Sequence, residues 1–211
     1  RREIKKIIPN AKLVQTEDLG KCHATKKMQY QADFENARRW LSLDLLTGNL
    51  HNNAVMVEFL RNKGKVKESD FDFFLTNNYP PDIIGINHYI TSERFLDENH
   101  SKYPLWSYAR NGVEAYSDVD IVRADIHLRE GHYHILKSAV DRYQLPIALT
   151  EVHLGSTREA QLRWFMEAYD AAAALKIEGA DVRAVTIWSI FGAFDWNSLL
   201  TQNNNFYESG V

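Results

Sequence analysis

The sequence contains little of what several common classes of protein require. Its single cysteine, Cys22, excludes an internal disulfide framework and has no His and Cys neighbours at the spacing of zinc ligands. There is no run of about 18 apolar residues, so we expect no membrane span. The 25 basic and 28 acidic residues nearly balance, which disfavours nucleic acid or a membrane surface as the main partner. We therefore expect a cytoplasmic globular domain without a metal or another cofactor.

Two common functional motifs are also missing. Residues 16–20, after the first apolar run, offer two carboxylates and one glycine, whereas a phosphate-binding loop needs backbone donors and several glycines. No Gly-x-Ser-x-Gly sequence is present to indicate an α/β-hydrolase. The chain has no recognisable signal peptide and begins at Arg1 with the charge density of a helix. We expect that it is part of a longer protein.

The residues that are present predict strands alternating with helices. Short apolar runs bounded by Pro, Gly or polar residues predict strands at 11–16, 82–87, 145–151 and 182–188. Helical segments separate them, and such alternation favours parallel strands joined by right-handed crossovers. A complete eight-stranded barrel takes about 250 residues. We therefore expect an α/β fold, with residues 1–211 forming half of one (β/α)8 TIM-type barrel; an open doubly wound sheet is the alternative.

Three irregular segments accompany this alternation. Residues 49–80 are too long for a plain connection between a helix and a strand, and they predict an insertion near one rim of the barrel. Residues 92–118 are rich in aromatic, glycine and polar residues and predict a long loop over a pocket. Residues 197–211 are rich in Asn and predict a tail without a closing element.

All four predicted strands end in polar or aromatic groups. These groups are Glu17, then Asn87 and Tyr89, then Glu151, and finally Trp188. Capping or core packing could explain each one alone, but parallel strands bring their carboxyl ends to one edge of the sheet. Lys and Arg are absent from these ends, which disfavours phosphorylated substrates. Aromatic faces beside carboxylates and amides favour a carbohydrate.

Three segments resemble glycoside hydrolase family 1. Residues 82–92, DIIGINHYITS, resemble that family's D-F-hydrophobic-G-hydrophobic-N-x-Y-T/S strand. Residues 149–151, LTE, resemble its I-T-E-N-G strand, and residues 188–196, WSIFGAFDW, resemble its W-S-L-x-D-N-F-E-W segment. The order and spacing agree across roughly residues 80–200. The resemblance implies a (β/α)8 barrel whose fifth to eighth strands, the C-terminal half, lie in this chain.

The resemblance implies a retaining glycosidase. By position, Glu151 is the nucleophile and the Tyr89 hydroxyl orients it. Family members supply the acid/base carboxylate from an Asn-Glu pair that ends the preceding strand, so this group lies outside the chain. Glu17, one strand along, is better suited to binding substrate hydroxyls or to pocket electrostatics than to replacing that acid. We therefore expect the fragment alone to be inactive.

The resemblance also implies a set of sugar-binding residues. Asn87 would line the same pocket as the nucleophile. Trp188 would form the floor under the bound sugar, and Asp195 with Trp196 would contact its outer hydroxyls. These assignments complete a carbohydrate site without a metal or an organic cofactor.

The sequence departs from the family pattern beside these residues. Val152-His153 replaces the family's Asn-Gly, and Gly192-Ala193 replaces its Asp-Asn. Asp195 is one methylene shorter than the usual Glu. The departures imply a divergent member whose substrate need not be a simple β-glucoside.

Two classes of function stay open. The first is a glycosidase, and the second is a non-catalytic, sugar-recognising barrel domain. The sequence also resembles, more weakly, family-1-like domains fused ahead of a sugar-nucleotide reductase of the dTDP-4-dehydrorhamnose reductase type. In either class a half barrel has two open sheet edges, so we expect association through these edges or with the missing half of the domain.

Overall fold

The computed structural model of the protein describes residues 2–208 and Gly210, so residues 1, 209 and 211 of the predicted domain lie outside the described part. The strands are, in chain order, β1 (Val14–Glu17), β2 (Cys22–Ala24), β3 (Ile83–Asn87), β4 (Arg94–Asp97), β5 (Tyr108–Arg110), β6 (Ala115–Asp120), β7 (Ile147–Val152), β8 (Val182–Ile187), β9 (Ala193–Phe194) and β10 (Tyr207–Glu208). The α-helices are, in chain order, α1 (Arg2–Ile7), α2 (Gln29–Arg38), α3 (Leu41–Thr47), α4 (Ala54–Asn62), α5 (Glu68–Thr76), α6 (Ile121–Ala124), α7 (Gly131–Tyr143) and α8 (Arg158–Ile177).

Strands β1, β3, β7 and β8 form one sheet in that order. Each neighbouring pair is parallel, so the predicted arrangement of four parallel strands in chain order is confirmed. Each of these strands overlaps its predicted range. Because the strands are parallel, their carboxyl ends lie at one edge of the sheet. The predicted site residues lie at or just after these strand ends.

The outer face of this sheet packs against α7 and α8. Ile84 on β3 and Ile147 on β7 are fully buried, and they share one apolar cluster with Ile135 of α7 and Ala168 of α8. Burying each Ile side chain contributes roughly 1.5–3 kcal/mol to stability. This packing fixes the strands that carry the site residues.

On the inner face of the sheet, the neighbouring strands leave little space for a side chain at Gly85. A Cβ atom on Gly85 would lie 2.8 Å from Cγ2 of Thr16 and 2.9 Å from the side chain of Thr150. The three residues therefore face the same side of neighbouring strands at close range. A side chain at position 85 would overlap with these two threonine side chains, so glycine fits here without any shift of its neighbours.

Residues 92–118 form strands instead of the predicted long loop. Strands β4, β5 and most of β6 lie in this stretch, and with β2 they form a second sheet in the order β2-β4-β6-β5. The loop prediction was wrong because the polar groups of these short strands are paired within the sheet. Arg94 on β4 makes ion pairs with Asp118 and Asp120 on β6, while Leu96 and Tyr116 join a small apolar cluster.

Residues 49–80, the predicted insertion, contain α4 and α5. Their apolar side chains form a small cluster with side chains of α2 and α3, with Leu50, Met56 and Phe71 buried at its centre. Asp44 on α3 is fully buried and accepts hydrogen bonds from Asn53 at 2.9 Å and from Nη2 of Arg142 on α7 at 2.7 Å. This ion pair ties the helical segment to the helix that packs on the main sheet.

Candidate active site

A cleft of about 660 Å³ lies at the carboxyl ends of β3, β7 and β8. Tyr89, Glu151, Trp188 and Trp196 line it, so the structure brings these predicted site residues together. The described residues that line the cleft include no Lys or Arg. The cleft therefore offers carboxylate, hydroxyl and aromatic groups to a ligand.

Tyr89 and Glu151 meet across the two central strands. The Tyr89 hydroxyl donates a hydrogen bond to Oε2 of Glu151. Burial, together with this bond to the carboxylate, raises the pKa of Tyr89 well above its ordinary value of 10.0. Tyr89 is therefore a neutral hydrogen-bond donor at physiological pH, and it fixes the position of the Glu151 carboxylate.

Asn87 lies opposite Glu151 in the pairing of β3 with β7. The Thr150 hydroxyl donates a hydrogen bond of 2.6 Å to Oδ1 of Asn87, which fixes the amide group beside the carboxylate. Asn87 does not itself line the cleft. Its predicted contact with a substrate stays a prediction.

Trp188 and Trp196 present aromatic faces to the cleft. They are 43% and 47% exposed, whereas Trp40 and Trp164, which belong to the core, are 8% and 6% exposed. The peptide bond between Trp188 and Ser189 is cis. Partly exposed tryptophans beside a polar cleft suit stacking against a ligand better than core packing.

Asp195 is buried, and its carboxylate accepts hydrogen bonds from the backbone of the tail. Oδ2 accepts N–H groups of Asn204 and Asn205 at 3.1 and 3.2 Å, and Oδ1 accepts that of Phe206 at 2.9 Å. Asp195 does not line the cleft. The structure therefore shows it holding a loop closed, and its predicted contact with sugar hydroxyls stays a prediction.

Glu17 lies away from the cleft that contains Glu151. Its carboxylate accepts a hydrogen bond from Gln15 at 3.1 Å. It lines a second cavity of about 370 Å³ together with Asp18, Arg39 and Arg94. The structure does not bring Glu17 together with the other predicted site residues, because β1 ends one strand farther from the cleft.

The tail adds a carboxylate that the sequence did not reveal. Strand β10 pairs antiparallel with β9, with Glu208 opposite Ala193, so the prediction of a tail without a closing element was wrong. Glu208 and His153 both line the cleft, and Oε1 of Glu208 lies 3.5 Å from Nε2 of His153. Strands of two residues carry no periodic pattern, and this is why sequence reasoning missed the pair.

A buried network behind the cleft was also missed. His88 faces away from the cleft, and its Nε2 lies 3.6 Å from Oε1 of Glu93. The Glu93 carboxylate also accepts the N–H groups of Glu130 and Gly131, at 2.7 and 2.8 Å, where α7 begins. Burial by itself raises the pKa of Glu93. The hydrogen bonds with His88 and with the two backbone groups lower this pKa by more, so it lies below its ordinary value. The charged carboxylate thus joins the end of β3 to the start of α7.

The same network continues to α8 through a second buried histidine, His132. Its ring contacts those of His88 and Trp164, and its Nδ1 lies 3.1 Å from Oε1 of Glu167. Arg129 binds both oxygens of Glu167, at 2.9 and 2.7 Å. Burial by itself raises the pKa of Glu167, but His132 and Arg129 lower it more strongly, to about 2. The network therefore joins α7 to α8 behind the strand ends.

Two other features are absent from the described residues. None of their helices combines the length and the apolar character needed to cross a membrane. The same residues contain no cluster of three or more His, Cys, Asp or Glu side chains that could hold a metal ion.

No protein-family model matches the chain, but solved structures do. A family 1 β-glucosidase from Thermotoga maritima matches with a TM-score of 0.67 and 16% identity over 100% of this chain and 47% of its own. A β-glucosidase from Exiguobacterium marinum matches with a TM-score of 0.58 and 18% identity over 92% of this chain and 46% of its own. The chain thus spans about half the length of these enzymes.

At these identities the likeness shows the fold. The matched enzymes are TIM-barrel β-glucosidases, and the four parallel strands of this chain align with about half of such a barrel. The chain therefore has a glycoside hydrolase-like α/β fold, that of a partial (β/α)8 barrel.

Proposed function

We propose that this chain is the nucleophile-bearing, C-terminal half of a retaining glycoside hydrolase domain. The observation that carries the proposal is the hydrogen bond from Tyr89 to Glu151 at the carboxyl end of the parallel sheet. It places an oriented carboxylate in a cleft with aromatic walls, which is the arrangement that attack on a sugar requires.

Glu151 performs the covalent step. One carboxylate oxygen forms a bond to the anomeric carbon while the bond from that carbon to the leaving oxygen breaks. A second carboxyl group, about 5–5.5 Å from the first in retaining enzymes, protonates the leaving oxygen. Water then displaces Glu151 from the sugar, with the second carboxylate accepting the proton. We propose that this second group comes from the half of the barrel outside this chain, so the chain alone is inactive.

The other predicted residues bind the sugar or shape the cleft that holds it. Trp188 lies under the ring and Trp196 contacts it from the side. Asn87 and Asp195 supply polar groups, directly or by holding neighbouring segments in place. Glu17 contributes from the adjacent cavity to the negative potential of this edge of the sheet.

Covalent trapping tests the role of Glu151 without the missing acid. A glucoside with fluorine beside the anomeric carbon and dinitrophenolate as leaving group needs no protonation to depart, so a nucleophile alone reacts with it. We expect mass spectrometry of the digested protein to find the sugar on Glu151. Glu151→Gln should not be labelled, whereas Glu58→Gln, an exposed control on α4, should be. Labelling at another residue, or none, contradicts the proposal.

A non-catalytic sugar-binding barrel, attached to a sugar-nucleotide reductase of the dTDP-4-dehydrorhamnose type, is the second candidate. It is favoured by the engagement of the Asp195 carboxylate with backbone amides, which leaves one fewer group for the substrate. In that case calorimetry would detect binding of methyl β-glucoside, but the fluorinated glucoside would not label Glu151.

A further inference from the structure

The turn that follows β3 fixes the backbone of Tyr89. The N–H group of Ser92 donates a hydrogen bond of 3.0 Å to the carbonyl oxygen of Tyr89, and the N–H group of Tyr89 donates one of 2.9 Å to Oγ of Ser92. Ser92 is buried. Two hydrogen bonds in opposite directions therefore close this turn, and the turn determines the direction in which the Tyr89 side chain leaves the backbone.

Asp18, just after β1, fixes the hydroxyl group of Ser92. Its Oδ2 accepts a hydrogen bond of 2.7 Å from Oγ of Ser92, and its Oδ1 accepts one of 2.8 Å from the N–H group of Gly20. A serine hydroxyl has a single proton. Because Ser92 donates this proton to Asp18, the lone pairs of its oxygen stay available for the N–H group of Tyr89. The charge of the acceptor strengthens the bond from the hydroxyl.

The loop after β1 lies directly against the same turn. A Cβ atom on Gly20 would lie 2.0 Å from the carbonyl oxygen of Ser92 and 2.4 Å from its carbonyl carbon. Any side chain at position 20 would therefore displace the loop or the turn. This close backbone contact keeps Asp18 within hydrogen-bond distance of Ser92.

We infer that Asp18 and Ser92 are positioning residues for Glu151 and act on it through Tyr89. The inference rests on the proposed hydrolysis. Hydrogen bonds run from Asp18 through the Ser92 hydroxyl to the Tyr89 backbone, and the Tyr89 hydroxyl then binds Glu151. Neither Asp18 nor Ser92 lines the cleft that contains Glu151. The end of β1 thus determines the orientation of a carboxylate on β7, two strands away.

Labelling of Glu151 by the fluorinated glucoside separates positioning from binding. The labelling rate at saturating reagent reports the reaction, and the reagent concentration that gives half this rate reports binding. We expect Asp18→Ala and Ser92→Ala each to lower the saturating rate about tenfold and to change the half-saturating concentration less than about twofold. The controls Asp33→Ala and Ser101→Ala change exposed residues and should react like the wild type.

A double-mutant cycle tests the route through Tyr89. Tyr89→Phe removes the hydroxyl that reaches Glu151, so adding Ser92→Ala to it should lower the rate no further. Asp18 is exposed, and Asp18→Ala combined with Tyr89→Phe gives the same test if Ser92→Ala does not fold. Losses that add in these cycles, or an unchanged rate in the single variants, overturn the inference. Loss of affinity together with a lower melting temperature and an unchanged saturating rate would show a purely structural role.

Crystal structures of the wild type and of Asp18→Ala distinguish failure of this inference from failure of the proposed hydrolysis. We expect the Tyr89 hydroxyl to lie within about 3.0 Å of a Glu151 oxygen in the wild type and beyond about 3.5 Å in the variant. An unchanged distance in the variant overturns the inference, whatever the labelling shows. Displacement of Tyr89 in a protein whose wild type is not labelled would contradict the proposed hydrolysis and leave the positioning of Glu151 by Asp18 standing.

Discussion

The phenolic hydroxyl of Tyr89 donates to Oε2 of Glu151 from the end of one parallel strand to the end of the next. The two residues are far apart in sequence, and the pairing of β3 with β7 brings them together. A carboxylate held in this way is positioned before any ligand arrives, so the reaction proposed above would need no further ordering of Glu151.

Tyr89→Phe should lower kcat and leave KM nearly unchanged. The variant keeps the ring and loses only the hydrogen bond to a charged group, which is worth about 1.5–3 kcal/mol. If the proposed hydrolysis is correct, kcat of the complete domain on an aryl β-glycoside should fall about 10- to 100-fold. Tyr169→Phe removes a hydroxyl from an exposed position on α8 and should not change kcat. A Tyr89→Phe enzyme with unchanged kcat would show that the bond is only structural.

Glu167→Gln should make the melting temperature less dependent on pH in the acid range. The pKa of Glu167 falls from 4.5 to about 2 in the folded protein, so its charged form contributes stability above pH 4.5 that is lost as the pH falls towards 2. We expect the melting temperature of the wild type to decline more steeply across this interval than that of the variant. Glu58→Gln, which is exposed, should keep the wild-type slope. Equal slopes in all three proteins would contradict the role given to the network with Arg129.

Asp195→Ala should open the tail more than Asp195→Asn. Asp195 has a left-handed backbone conformation, with φ of 55°, which Asn tolerates and Ala does not. Asn also keeps one oxygen that can accept the N–H groups of the tail, whereas Ala keeps none. Hydrogen exchange of residues 204–208 should therefore accelerate strongly in the Ala variant and weakly in the Asn variant. If Asn instead weakens sugar binding with no change in exchange, Asp195 acts mainly as a substrate ligand.

Residues 1–211 on their own should associate through the open edges of the main sheet. Strand β1 pairs only with β3, and β8 only with β7, among the described strands. Unpaired edges favour association, and a lysine on the edge opposes it. We expect light scattering to show oligomers for the wild type and fewer for Val14→Lys, which lies on β1. Val113→Lys, in an exposed turn, is the matched control and should associate like the wild type. A well-folded monomer would contradict this expectation.

The main sheet could be predicted from the sequence because its strands are apolar runs with clear ends. Ile84, Ile86, Ile147 and Leu149 of the two central strands are buried under helices, and no polar residue interrupts residues 83–86 or 147–149. The second sheet could not be predicted, since its strands are short and carry charged residues such as Arg94 that find partners only in the folded protein.

Only the residues at the centre of the cleft could be predicted from the sequence. Tyr89, Glu151 and Trp188 follow directly from strand ends, so the parallel sheet alone brings them together. Glu208 required a tail that folds back, and this depends on the Asp195 carboxylate meeting backbone groups about ten residues later. His88 could have been recognised, since Tyr89 beside it lines the cleft and successive residues of an extended chain face opposite sides.

The alternation at Asn87, His88 and Tyr89 makes this short stretch sensitive to length as well as to composition. Deleting or inserting a single residue in β3 would exchange the two sides of everything beyond it, placing an imidazole in the cleft and a phenol among the helices. A substitution in this stretch can have a small or a large effect, depending on the new side chain. An insertion or deletion of one residue always reverses the side on which the following residues lie. We therefore expect natural length variation in this protein to fall in the turns and the helical insertion, and to be excluded from the strand ends that carry Tyr89 and Glu151.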